Sequence, residues 1–260
     1  MGQPAAFFDL DKTIIAKSST LAFSKPFQAG GLISRKALLR SAYSQFVYVL
    51  GGADHDQMEK MRQFMSELVS GWDVATVREI VADTLHNVVD PLVYDEAVQL
   101  IEEHHAAGRD VVIVSASGQE VVEPIGEMLG ADHVVATRME IADGKYTGEI
   151  AHYAYAEEKA AAIRALAEQR DYDLATSYAY SDSITDVHML EAVGHPYAVN
   201  PDKELRRVAK ERGWPILVFV KPVALRSRAL SARPTLAALA VGGAVALGGV
   251  IWAGTRKRSH

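Results

Sequence analysis

The chain alternates between short apolar runs and longer stretches of helical spacing. Residues 5–11 read as a short buried strand, an apolar run that ends abruptly in Asp9 and Asp11. From residue 18 to about residue 90 the rhythm is helical, with Leu38, Leu39, Phe46 and Val49, then Met58, Met61, Met65 and Leu68, at three- and four-residue spacing. Those methionines read as the core of a helical insertion rather than as a lipid groove. After Pro91 strands and helices alternate, with helices expected over 95–107, 119–129, 156–170, 185–193 and 202–212. Strands are expected over 110–114, 133–136, 175–180 and 197–199, and a hairpin over 138–150 turning at Asp143-Gly144. Strand and helix repeated in this way predict an α/β fold, a doubly wound and mostly parallel sheet.

Residues 234–254 form an uncharged run, preceded by a basic stretch with Lys221, Arg226, Arg228 and Arg233 and followed by Arg256, Lys257 and Arg258. About 20 apolar residues span a bilayer, so the flanking cations predict one C-terminal transmembrane helix. The start of the chain lacks the basic and apolar regions of a secretory signal, so the catalytic domain is expected in the cytoplasm, membrane-anchored by that helix. The expected division is a core over 1–17 and 91–220, a helical cap over 18–90, a basic linker over 221–233, the membrane helix and a basic tail over 255–260.

Composition narrows the functions. A net charge of −6 argues against nucleic acid as a partner, because phosphate backbones are bound through clustered cations. The absence of cysteine excludes disulfides, thiolate metal sites and cysteine nucleophiles. His104 and His105 point different ways on a helix and read as solvated rather than as a metal site.

Four separated pieces could carry chemistry. Asp9-Leu10-Asp11-Lys12-Thr13 puts two carboxylates at the carboxyl end of the first strand, where open α/β sheets bind ligands. One can serve as nucleophile while its neighbour handles protons, although a solvated turn or a nucleotide-sugar transferase motif fits the same residues. Ser115, with Ala116, Ser117 and Gly118, can cradle phosphate or simply cap the next helix. Lys159, near the start of a helix, can offset phosphoryl charge or be solvated. Ser181-Asp182-Ser183-Ile184-Thr185-Asp186 brings two more acids to a strand end, where oxygen ligands suit Mg²⁺ or where the segment caps a helix.

In this order the four pieces resemble the haloacid dehalogenase-like superfamily, and most closely its phosphoserine phosphatase-like branch, which carries a helical cap between the first two motifs. The resemblance covers about residues 5–212 and implies a HAD-like Rossmannoid core and a Mg²⁺-dependent phosphatase. It implies Asp9 as nucleophile and metal ligand, and Asp11 as general acid and base that lends its carbonyl to Mg²⁺. It further implies Thr13, Ser115, Ala116 and Lys159 around the substrate phosphate, Asp182 on the metal and Asp186 orienting the metal's waters. Ser181 stands where the family usually has Gly, and Ser115-Ala116-Ser117 replaces Ser-Gly-Gly. Residues 14–22 lack the acid with which phosphoserine enzymes read the substrate amine. The implied partner is a small phosphorylated substrate, either a metabolite or a lipid headgroup brought to the site by the membrane helix. A catalytically silent, membrane-tethered binding module is the expectation from another class.

Overall fold

The computed structural model describes residues 2–33, 63, 66–220 and 222. Strands β1 (Ala5–Phe8), β2 (Asp110–Gly118), β3 (His133–Ala142), β4 (Lys145–His152), β5 (Tyr178–Ser181), β6 (His195–Val199) and β7 (Ile216–Leu217) form one sheet. The order is β4-β3-β2-β1-β5-β6-β7, parallel throughout except for the β3–β4 hairpin. The expected α/β, mostly parallel architecture is what the chain forms.

Helices α1 (Ser19–Ala22), α2 (Ser24–Ala29) and α3 (Val74–Val89) follow β1, and α4 (Asp95–Ala106) leads into β2. Then come α5 (Gln119–Leu129), α6 (Glu157–Arg170), α7 (Val187–Glu191) and α8 (Lys203–Arg212). β1 shows why such strands read as continuous apolar runs: both of its faces are covered. Ala6 and Phe8 join one core with residues of α3, α4 and α5, whereas Ala5 and Phe7 join another with Ile163, Met189, Leu190 and Leu205.

The strand order reverses at β1, which has β2 on one side and β5 on the other. A crevice at the carboxyl ends is the expected consequence. β1 ends at Phe8, earlier than expected, and Asp9 continues the ladder by one bond, its N–H donating to the Tyr180 carbonyl at 2.9 Å. Beyond it, the N–H groups of Ile14 and Ile15 both return to the Leu10 carbonyl, closing a tight loop with Lys12 at φ 61°.

Several boundaries moved. β2 runs on to Gly118, because backbone pairing with β3 continues through an irregularity between Ser115 and Gly118 despite the polar sequence. β3 and β4 are longer than expected, and their turn at Asp143 and Gly144 has positive φ at both positions, 49° and 75°. That is the twist a two-residue hairpin turn needs. β7, only two residues long, has no counterpart in the expected elements.

One expectation is corrected. Among the described residues no helix is long and apolar enough to cross a membrane, so neither the transmembrane helix nor the membrane anchoring stands. The run 234–254 itself lies outside the described residues, as do the tail 255–260 and most of the basic stretch before it. Leu38, Leu39, Phe46, Val49, Met58, Met61 and Met65 also fall outside them.

Candidate active site

At the carboxyl end of β1, Asp9 is 6% exposed. Lys159 reaches it from α6, where Lys159, Ala160, Ile163 and Ala167 make the buried face. Lys159 shares its helical row with Ile163, four residues on, so the packing that buries Ile163 also drives the lysine inward. Its ammonium donates to Asp9 Oδ1 at 2.6 Å and to Asp186 Oδ2 at 2.8 Å. Thr13 Oγ1 donates to the other Asp9 oxygen at 3.3 Å, and Ser181 Oγ donates to Asp186 Oδ2 at 2.7 Å.

The electrostatics follow from burial. Burial pushes the Asp9 carboxyl up to about 8; Lys159 opposes this, while Asp186 and Asp182 add to it. Burial likewise raises Asp182, to about 7, against the pull of Lys12. For Lys159 burial disfavours the charge, yet Asp186 and Asp9 together outweigh it and hold the ammonium above its ordinary value. Asp9, Asp182 and Asp186 are thus three buried acids with one buried cation, Lys159, which pairs with Asp9 and Asp186.

That imbalance is what a divalent cation would relieve. Among the described residues no group of three His, Cys, Asp or Glu side chains is arranged to hold a metal. Mg²⁺ asks for less, since it commonly takes one or two carboxylates and fills its remaining positions with water and phosphate oxygens. The donor set fits on that basis.

Asp11 turns away from the lysine. Its Oδ1 accepts the Ser19 N–H at 2.8 Å and its Oδ2 the Ser117 hydroxyl at 3.2 Å, while Ser19 Oγ donates to Ser117 Oγ at 2.8 Å. The sequence reading missed Ser19, and it named Ser117 only as part of a phosphate cradle, not as a partner of Asp11. Ser117 stood beside a residue that was singled out, but nothing in the residue types announces that α1 and β2 meet on one carboxylate. The Ser117 N–H donates to Ser115 Oγ at 3.2 Å. Ser115 is buried and lies within β2, while Ala116 is exposed at the same strand end.

Asp182 follows β5, its carbonyl accepting the Asp202 N–H at 2.8 Å, while the Asp202 carboxylate caps α8 through the Leu205 N–H at 2.7 Å. Beneath the site, His104 is buried rather than solvated. Arg109 Nε donates to its Nδ1 at 2.7 Å, so its Nε2 carries the proton toward the Tyr180 hydroxyl at 2.9 Å. Tyr180 in turn stacks on Phe8 at 4.4 Å, and burial, with Arg109 adding to it, lowers His104 to about 4. His105 is half-exposed and pairs with Asp132 at 3.0 Å.

A buried carboxylate at a sheet switch point, held by a buried lysine and flanked by further acids, is the centre of the candidate site. The chain belongs to the haloacid dehalogenase-like hydrolase family, which matches residues 6–191. It is a phosphoric monoester hydrolase of the phosphoserine phosphatase-like branch. It is 62% identical over 262 residues to the Inhibition of morphological differentiation protein of Streptomyces azureus, covering 98% of this chain and 95% of the other. Phosphoserine phosphatase SerB1 of Mycobacterium tuberculosis is 31% identical, over 93% of this chain and 79% of its own length. A crystal structure of a protein of unknown function from Bordetella pertussis matches with a TM-score of 0.74 and 30% identity, covering 84% of this chain and 99% of that one.

Proposed function

We propose that this hydrolase takes the phosphoryl group of a small phosphorylated substrate onto Asp9 and releases it to water in a second step. The observation that carries the reading is Asp9, fixed by Lys159 on one oxygen and by Thr13 on the other at the end of β1. An Asp9 oxygen forms the new bond to phosphorus as the bond from phosphorus to the leaving alcohol oxygen breaks. Asp11 gives that oxygen its proton, and then takes one from the water that cleaves the aspartyl phosphate, restoring both carboxyl groups. Ser19 and Ser117 hold Asp11 in place between the two steps.

Lys159 offsets the charge spread over the phosphoryl oxygens, with Ser115 and the backbone around Ala116 beside it. Asp9, Asp182 and the Asp11 carbonyl would hold Mg²⁺, with Asp186 orienting its waters. The ion, when bound, neutralises phosphate charge and aligns the reacting oxygens. Residues 18–90 act in this reading as a cap over the site.

The test uses Asp9→Asn and the unaltered chain with a simple alkyl phosphate. The unaltered chain should release phosphate with Mg²⁺, stop in EDTA, and carry a hydroxylamine-labile phosphoryl label. Asp9→Asn should lose both the turnover and the label, since uncatalysed monoester hydrolysis is among the slowest reactions known. Near-normal turnover by Asp9→Asn would overturn the assignment.

A further inference from the structure

Between β2 and the β3–β4 hairpin lies a cavity of about 310 Å³, within the size range of small-molecule pockets. Phe27, Trp72, Val121, Met139, Tyr146 and Ile150 form much of its wall. Phe27 and Trp72 meet edge to face at 5.6 Å. Backbone bonds fix the walls to one another, because Gly71 N–H donates to the Tyr146 carbonyl at 2.8 Å and Tyr146 N–H to the Trp72 carbonyl at 3.1 Å. The chamber is therefore a built feature shared by the hairpin and the segment that enters α3.

It does not include Asp9. It adjoins the chemistry through Thr20, Ala116 and Ser117, and Ser117 is the hydroxyl that donates to Asp11. In the mechanism above, Asp11 is the group that meets the leaving oxygen, so the chamber opens on the leaving-group side of the reaction.

Its charge is as informative as its shape. Among the described residues no Lys, Arg or His lines it, and its one carboxylate, Glu120, is 8% exposed. That carboxylate is already engaged by the Tyr146 hydroxyl and by Arg78 at 3.6 Å. A phospho-amino acid would carry an ammonium and a carboxylate into this space, and among the described residues neither would find a free counter-charge on its walls.

We propose that the substrate is a monoester of a bulky, uncharged and largely apolar alcohol, whose hydrocarbon or aromatic part fills this chamber while its phosphate sits at Asp9. This rests on the reading of Asp9 and Asp11 given above, and deepens it by naming the leaving group.

The experiment compares kcat/KM of the full chain with Mg²⁺ for 2-phenylethyl phosphate, ethyl phosphate and O-phosphoserine, three alkyl monoesters whose leaving oxygens are alike. The phenyl group should raise kcat/KM over ethyl phosphate by roughly tenfold to a hundredfold, the scale of apolar discrimination in a pocket. Phosphoserine should do no better than ethyl phosphate. Ile150→Lys, at a half-buried wall position, and Val121→Arg should each collapse the phenylethyl-to-ethyl ratio, and Val121→Leu should keep it. Reading a ratio makes partial loss of folded protein cancel. Release of phosphate from ethyl phosphate with no gain from the phenyl group, or a preference for phosphoserine, would overturn the chamber assignment alone. No release from any of the three would overturn the hydrolytic mechanism at Asp9, and this proposal with it.

Discussion

The Lys159 ammonium lies 2.6 Å from Asp9 Oδ1 across 150 positions of sequence, and both groups are buried. A lysine so placed does two things at once. It preserves the negative charge that burial would otherwise drive off the Asp9 carboxyl, and it presents a fixed cation to whatever binds there.

Lys159→Met should therefore fail in two measurements. Turnover should fall by several orders of magnitude. In EDTA the fold should lose about 3 kcal/mol of stability, because removing one partner leaves Asp9 and Asp186 buried without a cation. Urea unfolding in EDTA, and again with Mg²⁺, separates the two effects: added Mg²⁺ should restore part of the stability and none of the turnover.

Ser117→Ala removes the hydroxyl that donates to Asp11 Oδ2 at 3.2 Å. The variant should fold, losing on the order of 1 kcal/mol. Its kcat should fall about tenfold or more, since a displaced general acid forfeits much of the usual gain from positioned proton transfer. Ser117→Thr, which keeps the hydroxyl, should recover most of the rate.

Ala156 stands at φ 52°, ψ −121° immediately before the helix that carries Lys159. A Cβ is strained in that conformation, and glycine is not. Ala156→Gly should raise stability by about 1 kcal/mol, read as a higher melting temperature, with activity unchanged or slightly higher.

His104 supplies a pH dependence of stability. Its folded value, about 4, lies below the ordinary 6.5, so the fold favours the neutral ring. The contribution is fully present above 6.5 and is lost as pH falls through the folded value; at full extent it is on the order of 3 kcal/mol. Melting temperatures between pH 8 and 4 should fall for the unaltered chain more steeply than for His104→Phe, which has no ring to titrate.

Much of this arrangement could be read before any coordinates. β1, β2 and β5 are apolar runs because they are covered on both faces, and their carboxyl ends carry Asp9, Ser115 and Asp182. What escaped reading depends on partners distant in sequence. Ser117 sits in the irregular stretch between Ser115 and Gly118, and it becomes important only because Asp11, 106 positions away, accepts its hydroxyl. His104 resembles its solvated neighbour His105, and only the arrival of Tyr180 and Arg109 makes it a core residue. The helix expected over 185–193 opens with a 3-10 turn at Ile184–Asp186, since Asp186 is drawn inward by Lys159 and Ser181. The hydrophobic run 234–254, read as an anchor from its length and flanking cations, lies outside the described residues, among which no helix is long and apolar enough to cross a membrane.

β1 is four residues long, yet it pairs with β2 in a register joining Ala5 to Asp110 and with β5 in one joining Ala6 to Tyr178. No contiguous fragment of the chain that lacks any of these three strands can assemble the centre. Turnover is thereby a report on the whole assembly: a single nick between β1 and β2 should leave two pieces that are each inert, and that regain function only by finding one another.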